Sequence, residues 1–534
     1  MLANIRWDLF YLQRETEAET MRRALRKASG TRILSTCVIM SVGLFSWTFG
    51  HADDSVLTQN VLAESAAHKE PETDFTAPTD GETQSTRREA TTEELIAGRG
   101  FQKLRYKGLT FAPGGYIEAA GIFRSANENG DIQSNLGNIP LHGTTNSHLT
   151  EFRGTARGSR INLLGEGTYR GVNLSSYLEF DFLGAPPNGN EVETNSWDPR
   201  LRQIWANIDW PTGTSFLVGQ SWSLLTTHRL GLQPRREFIL LTIDLQSVVG
   251  HNWARQWQIR LTKVLTPGVI AAVALENPET SVSGVVQPLD VQGFNTSPNA
   301  QSPSSFFTTS ATPGANGIST DIAPDVLGKV VFEPGWGHWE IKGLLRVFRD
   351  RLNAENHVTV GGGAGVAVVL PIMPTLNIIA EGFVGKGIGR YASTVGADAV
   401  ASLSGKVVPI AAFHFMMGLE WHPTTNWDVY AYYGLEQYAR TAYSGTVIGY
   451  GSPLANLSGC GIENPGTLPC QAANMAVSQI HPGVWHRIID TDIGVVAVGL
   501  SYSYTHRTIW SGLEGARPRG EEHMSLVSIR YYLP

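Results

Sequence analysis

Arginine is the residue type in this sequence with the clearest chemical potential, because it recurs in groups. One group lies early in the chain, a second lies between Trp222 and Trp253, and others follow. A guanidinium is permanently charged and binds carboxylates through a fork of donors, so rings of arginine in a pore select anions. The candidate pore-lining positions are Arg153, Arg160, Arg229, Arg235, Arg236, Arg260 and Arg346, with the acidic Glu179 and Asp181.

A second interpretation of these arginines stays open at this stage. They would then pair with acidic residues and brace the fold without contacting a solute; the available partners are Glu118, Glu179, Asp181, Glu237 and Asp244. Strand alternation favours Arg260 as a pore residue, because it falls on the face opposite Trp257 and Ile259. Arg255 has the opposite parity.

Motifs for enzymatic chemistry are weak. Residues 219–223 (GQSWS) resemble a nucleophile elbow, but the final glycine is missing and no helix is predicted to follow. The glycines of 385–389 lack the βαβ unit of a dinucleotide-binding fold. No Cys/His spacing resembles a zinc site. We therefore predict no catalytic residue, no metal and no cofactor.

Cysteines and net charge bound the compartment and the partners. Cys37 lies in an apolar run, whereas Cys460 and Cys470 are ten residues apart in a stretch rich in Gly, Pro and Asn. After export, a disulfide between Cys460 and Cys470 is expected. Residues after position 52 include 34 basic and 44 acidic side chains, and no basic tail occurs, so a nucleic-acid partner is not expected.

Short alternating runs predict the elements that position the arginines. Charged residues make up 17% of the chain and glycines number 57, which suits many strands and tight turns. In 413–421 the odd positions are large and apolar, and the even positions are His, Met, Gly and Glu. The runs 174–182, 427–434, 496–504 and 524–534 alternate in the same way. Each strand would have one face for lipid and one for water.

The spacing between runs predicts a membrane barrel. Short turns alternate with long loops, notably 277–324 and 444–482, and aromatics such as Trp210, Trp421, Trp427 and Tyr504 sit near run ends. Short turns on one side, long loops on the other and aromatic girdles are typical of outer-membrane barrels. We predict an all-β fold, a transmembrane antiparallel barrel with long extracellular loops.

The first hundred residues differ from the rest. The apolar run 33–49 follows several arginines and precedes Gly50-His51-Ala52, which predicts a cleaved signal peptide over 1–52, with translation from Met21 as one possibility. An uncleaved anchor is the alternative. Residues 53–112 are polar and acidic and are interpreted as a flexible periplasmic segment. The barrel would occupy 113–534.

Several short blocks resemble the DcaP-like porins, a family of trimeric outer-membrane barrels. The blocks are 159–166 (SRINLLGE), 201–206 (LRQIWA), 218–223 (VGQSWS), 255–260 (RQWQIR), 324–346 in part, and 385–391 (GKGIGRY). The chain departs from the family pattern in lacking N-terminal heptads and in ending on Pro534. The resemblance implies about 16 strands, a constriction loop between Trp222 and Trp253 that folds into the pore, a homotrimer, and uptake of small, often anionic, organic solutes.

Together these features predict a porin in the outer membrane of a Gram-negative-type bacterium. We expect small hydrophilic solutes, with organic anions as candidates, to diffuse through an arginine-bearing lumen. Outer-membrane lipid would surround the barrel. Two alternatives stay open: a barrel enzyme such as a lipase or protease, and a closed barrel that acts as an adhesin. The first needs an exposed nucleophile, and the second would carry no current.

Overall fold

The computed structural model describes residues 104–128, 134–184, 198–244, 248–283, 321–352, 355–513, 515 and 517–534. The predicted signal peptide and most of the predicted acidic segment lie outside them. Among the residues with described structure, no helix combines the length and the apolar character needed to cross a bilayer. Short 3-10 helices occur at Leu136–Asn138, Thr145–His148 and Gly389–Tyr391.

Strands dominate the described part of the chain. They are β1 (Leu104–Tyr106), β2 (Leu109–Arg124), β3 (Glu151–Thr155), β4 (Arg160–Tyr169), β5 (Val172–Asp181), β6 (Arg200–Trp210), β7 (Thr214–Trp222), β8 (Arg255–Thr266), β9 (Val269–Glu276), β10 (Asp325–Phe332), β11 (His338–Leu352), β12 (Glu355–Met373), β13 (Leu376–Lys386), β14 (Ala399–Ala401), β15 (Val407–Pro409), β16 (Ala411–Thr424), β17 (Trp427–Tyr438), β18 (Thr441–Ala442), β19 (Gly449–Tyr450), β20 (Asn474–Thr491), β21 (Gly494–Ile509) and β22 (Arg519–Tyr532).

The main sheet is antiparallel and closes into a barrel. Its first long strand, β2, pairs with its last, β22, from Tyr116 opposite Tyr532 to Arg124 opposite Met524. The strands β3 and β4 pair with successive parts of β2 and together make one barrel strand. The short β1 pairs only with the first residues of β2 and is not counted as a barrel strand. The 18 strands of this sheet thus form a barrel of sixteen, which confirms the predicted fold class.

The connections are short at one end and mostly long at the other, as predicted; the exception is the two-residue connection 353–354 between β11 and β12, which lies at the long-connection end. The short turns are 170–171, 211–213, 267–268, 333–337, 374–375, 425–426 and 492–493; the long connections are 125–150, 182–199, 223–254, 277–324, 387–410, 439–473 and 510–518. The predicted loop 444–482 ends too late, because β20 begins at Asn474. Pro482 lies inside β20, where the ladder to β21 is interrupted between Ile480 and Gly483 because proline lacks an N–H donor.

The exterior of the barrel is apolar with aromatic rims. Outward side chains such as Ile161, Leu261 and Leu500 are exposed along the middle of their strands. Exposed aromatic residues near the short-turn end are Tyr169, Trp210, Phe332, Trp336, Trp421 and Trp427; those near the other end are Phe123, Phe152, Trp257 and Phe413. A closed barrel leaves no unpaired strand edge, and this belt is the surface that a lipid bilayer requires.

The long connections fold together above the barrel. Cys460 and Cys470 form a disulfide with their Cα atoms 4.9 Å apart, inside the connection 439–473. Leu457 and Cys460 of this connection pack against Leu141 of the connection 125–150 and against Ile509 at the end of β21. Two connections that are distant in sequence and the end of β21 therefore share one small apolar core at this rim.

Glycines make room for aromatic side chains inside the barrel. The run Gly361-Gly362-Gly363 lies in the middle of β12 and is not a turn; it is a site of close approach. A Cβ atom on Gly361 would lie 2.6 Å from the Phe348 ring, and one on Gly363 would lie 2.9 Å from the Phe383 ring. Rings from the two neighbouring strands thus approach the β12 backbone closely.

Gly363→Ala should destabilise the barrel by about 1–3 kcal/mol, the usual cost of overpacking. The new methyl group would also lie 2.6 Å from the backbone oxygen of Val384, which cannot move away. Urea-induced unfolding in detergent measures the change. The control is Gly328→Ala in β10, where a Cβ atom meets nothing within 4 Å. Equal losses in the two variants would contradict the close-approach explanation.

Candidate pore constriction

The connection 223–254, here called the constriction loop, folds into the barrel as predicted. Leu224, Phe238 and Val248 are fully buried although they belong to no strand. The apolar stretch 238–243 packs against inward-facing side chains of the wall, among them Ile379, Met416 and Trp485. Burial of this stretch removes its apolar surface from water and fixes the loop against the wall formed by β12 to β21.

Inward-facing acceptors on the wall bind the backbone of the constriction loop. Each donor–acceptor pair joins a loop N–H to a different strand: Leu224 to Glu276 (2.7 Å), His228 to Glu340 (2.7 Å), Asn252 to Glu381 (2.9 Å), Gly250 to Glu436 (2.9 Å) and Val249 to Gln479 (3.1 Å). Buried backbone N–H groups need such partners, and bonds to carboxylates are the stronger kind. The wall thereby replaces the pairing that a strand would have supplied.

The tip of the loop presents two exposed arginines, Arg235 and Arg236. The Arg235 guanidinium lies 5.1 Å from the ring centroid of Tyr177, which points inward from β5. Neither arginine has an ion-pair partner within the described residues. Arg235 also has a φ of 68°, a strained backbone conformation that non-glycine residues seldom adopt. The loop therefore holds two uncompensated positive charges at its tip.

Arginines on the facing wall stack on aromatic rings. The guanidinium groups of Arg160 (β4) and Arg530 (β22) lie 5.2 and 4.7 Å from the ring centroid of Tyr116. Arg530 also pairs with Glu118, with its Nε atom 2.7 Å from the carboxylate. Stacking leaves the edges of each guanidinium available for further hydrogen bonds. Arg160 and Arg530 are therefore positive charges held in a fixed geometry.

The predicted acids Glu179 and Asp181 point inward but are neutralised. Asp181 accepts hydrogen bonds from Arg200 (2.7 Å) and Arg202 (2.8 Å), and Glu179 pairs with Arg202. Sequence reasoning missed these two arginines. Strict alternation places Arg202 on the lipid face with Ile204, but the pairing of β5 with β6 contains a register shift that turns Arg202 inward. No periodicity signal marks this bulge.

The other predicted arginines occupy separate, mostly ion-paired positions. Arg229 forms a bidentate pair with Glu420, Arg346 lies between Asp325 and Asp398, and Arg153 pairs with Glu151. Arg260 faces inward, as alternation indicates, and donates to the side chain of Gln258 and the carbonyl of Trp222. The structure thus brings Arg160, Arg235 and Arg236 to the side of β2 to β6, whereas Arg346 braces the opposite wall.

The serine of the stretch that resembles a nucleophile elbow has the surroundings of a strand residue. Ser221 of the GQSWS stretch is buried within β7 and lies 3.4 Å from the side-chain oxygen of Gln203. In the part of the chain that the structure describes, no group of three or more His, Cys, Asp or Glu side chains is arranged to hold a metal ion.

Comparison with solved structures places this architecture in a class. A closed antiparallel barrel of sixteen strands with an inward loop is the fold of the outer-membrane porins. The DcaP outer-membrane channel of Acinetobacter baumannii shares it, with a TM-score of 0.57 and 14% sequence identity over 81% of this chain and 100% of that chain. The family resemblance seen in the sequence is therefore supported at the level of fold, and the predicted outer-membrane location agrees with the closed, apolar-sided barrel.

Two further porins match less closely. The anion-selective porin of Comamonas acidovorans is 10% identical over 80% of this chain and 100% of that chain, with a TM-score of 0.42. OprB of Pseudomonas putida is 11% identical over 79% of this chain and 94% of that chain, also at 0.42. No protein-family model and no curated protein sequence matches the chain.

One loop carboxylate, Asp244, has an unusual environment. It is buried beside Arg124 of β2 and Glu128. Arg124 also forms an ion pair with Glu151, at 3.0 Å. Burial raises the pKa of Asp244 to about 6; Arg124 opposes this rise, and the Glu128 carboxylate adds to it. The folded protein thus favours the protonated acid.

Asp244→Asn should stabilise the protein at pH 8 by about 1–3 kcal/mol and have little effect at pH 4. A raised pKa means that the stabilising contribution of the wild-type acid is complete below its ordinary value of 3.8 and is lost as the pH rises through about 6. Thermal unfolding in detergent at both pH values measures the difference. The control is Asp209→Asn at the short-turn end of β6. A gain that is equal at both pH values would contradict the assignment.

Proposed function

We propose that this protein is an outer-membrane porin through which small hydrophilic solutes, organic anions in particular, diffuse passively. The observation that carries the proposal is the pair of exposed arginines, Arg235 and Arg236, on a loop held inside a closed barrel. The stacked Arg160 and Arg530 face inward from the neighbouring strands. In a narrow, water-filled lumen with walls of low dielectric constant, uncompensated positive charge attracts anions and repels cations.

The mechanism needs no chemical step, so the proposal includes no catalytic residue. A solute enters among the long connections, passes between the loop tip and the strands β2 to β6, and leaves at the short-turn end. The loop limits the size of the solute, and the arginines bias its charge. Carboxylates suit this path because a guanidinium binds them through two parallel hydrogen bonds.

We also propose a homotrimer, which rests on the family resemblance in the sequence. Barrels that pack side by side form a closed cyclic assembly. Current steps that arrive in groups of three, together with chemical cross-linking of the purified protein, would test the assembly independently of ion selectivity.

Single-channel recording in planar bilayers tests the channel and its charge preference. In a salt gradient the wild-type reversal potential should be biased toward anions. Arg235→Ala combined with Arg236→Ala should shift that potential toward cation preference, by an amount that shrinks as salt rises because of screening. Arg519→Ala, which removes an exposed arginine from the outer face of β22, is the matched control and should leave the potential unchanged.

Other outcomes would redirect the assignment. A cation-biased wild-type channel would overturn the anion preference and keep the porin. Absence of current from a folded, heat-modifiable barrel would remove the porin assignment and favour the adhesin alternative. Ester or peptide hydrolysis lost on replacing a single serine would favour a barrel enzyme.

A further inference from the structure

We infer that Glu381 of β13 is the positioning residue that holds the constriction loop closed at its neck and so determines the width of the pore. This inference rests on the proposed channel function. It concerns a residue on the wall that contacts both ends of the loop and lies apart from the arginines.

The two arms of the loop meet at the two oxygens of one carboxylate. The outgoing arm donates from the Thr227 hydroxyl to Oε2 of Glu381 at 2.5 Å. The returning arm donates from the Asn252 N–H to Oε1 at 2.9 Å, and the His251 ring places its Nδ1 atom 2.6 Å from the same oxygen. Residues 227 and 252 are thereby joined, although 24 residues separate them along the chain.

A lysine from β11, which is separated from β13 by β12, completes the clamp. The Lys342 ammonium lies 2.9 Å from Oε2 of Glu381, 2.8 Å from the carbonyl oxygen of Leu225 and 3.3 Å from the Thr227 hydroxyl. The side chains of Lys342 and Glu381 are fully buried. Because the charge is compensated and hydrogen-bonded on all sides, the pair can persist in the interior.

Other wall carboxylates hold only one arm each. Glu340 binds the outgoing arm at His228, and Glu436 binds the returning arm at Gly250. Among the carboxylates in the described part of the chain, only Glu381 joins both arms. Removal of Glu340 or Glu436 would release one arm from the wall, whereas removal of Glu381 would release both arms.

The returning arm packs directly against the wall, with no space between the two backbones. A Cβ atom on Gly434 of β17 would lie 1.6 Å from the backbone oxygen of Val249, and one on Gly250 would lie 1.9 Å from that of Phe415. Loop and wall therefore touch backbone to backbone beside the clamp. Once the contacts to Glu381 are lost, the returning arm can move only away from this wall, into the lumen.

Two substitutions test the role of Glu381 in the full-length protein. Glu381→Ala removes all four contacts, so the released arm moves into the lumen, and we expect single-channel conductance to fall by about twofold because current follows the open cross-section. Liposome swelling should then exclude the largest sugars that the wild type admits. Glu381→Gln keeps an acceptor oxygen for the loop and loses the ion pair, so it should fall between the wild type and Glu381→Ala.

Asp428→Asn is the matched control for lost stability. Asp428 of β17 is equally buried and ion-paired, with His422 at 2.6 Å and Arg487 at 2.7 Å, and both of these partners lie outside the constriction loop. A residue that only stabilises the barrel would lower the unfolding temperature without changing the solute cut-off. We expect that behaviour for Asp428→Asn, and a shifted cut-off for Glu381→Ala.

The outcomes separate this inference from the channel proposal. If the wild type conducts and folded Glu381→Ala has the same conductance and the same cut-off, the positioning role is wrong and the channel stands. If the folded wild type does not conduct, the channel proposal fails first. If Glu381→Ala does not fold, Glu381→Gln decides: an unchanged cut-off contradicts the inference, and a reduced one supports it.

Discussion

Backbone hydrogen bonding inside the barrel is the constraint on which the rest of the structure depends. The wall satisfies its own N–H and C=O groups through the closed sheet, but a loop that crosses the lumen leaves that ladder. In this protein carboxylates on alternate wall positions accept the loop's N–H groups, as with Glu276, Glu340 and Glu436. The charges thus buried need cations in turn, and Lys329 and Lys342 supply them.

This arrangement explains why acidic and basic residues are so common on the inner face. Several of them do not face a solute path. Glu420 pairs with Arg229, and Asp325 and Asp398 enclose Arg346, so these groups brace loops against strands. Arg235 and Arg236, in contrast, are exposed and have no ion-pair partner among the described residues. Function and scaffold therefore use the same residue types, and only the pairing distinguishes them.

Sequence periodicity predicted the barrel because two-residue alternation is a direct consequence of strand geometry. It also predicted the lumen side of Glu179, Asp181 and Arg260, whereas the inward loop was predicted from the resemblance to the DcaP-like porins. It could not predict the partners, because pairing depends on strand register and loop path. Arg202 shows this limit: a single register shift in β6 reverses its face. Arg346 shows the other limit, since its two aspartates come from distant connections.

The wall recognises the loop through its peptide groups, and that has an evolutionary consequence. A carboxylate that accepts a backbone N–H places no demand on the side chain of the donor residue, except that it cannot be proline. Substitutions along the loop can therefore change which solutes pass while the anchoring points on the wall stay the same. Selectivity and scaffold can diverge at different rates, which allows one barrel to be adapted to new nutrients by changes confined to a few exposed positions.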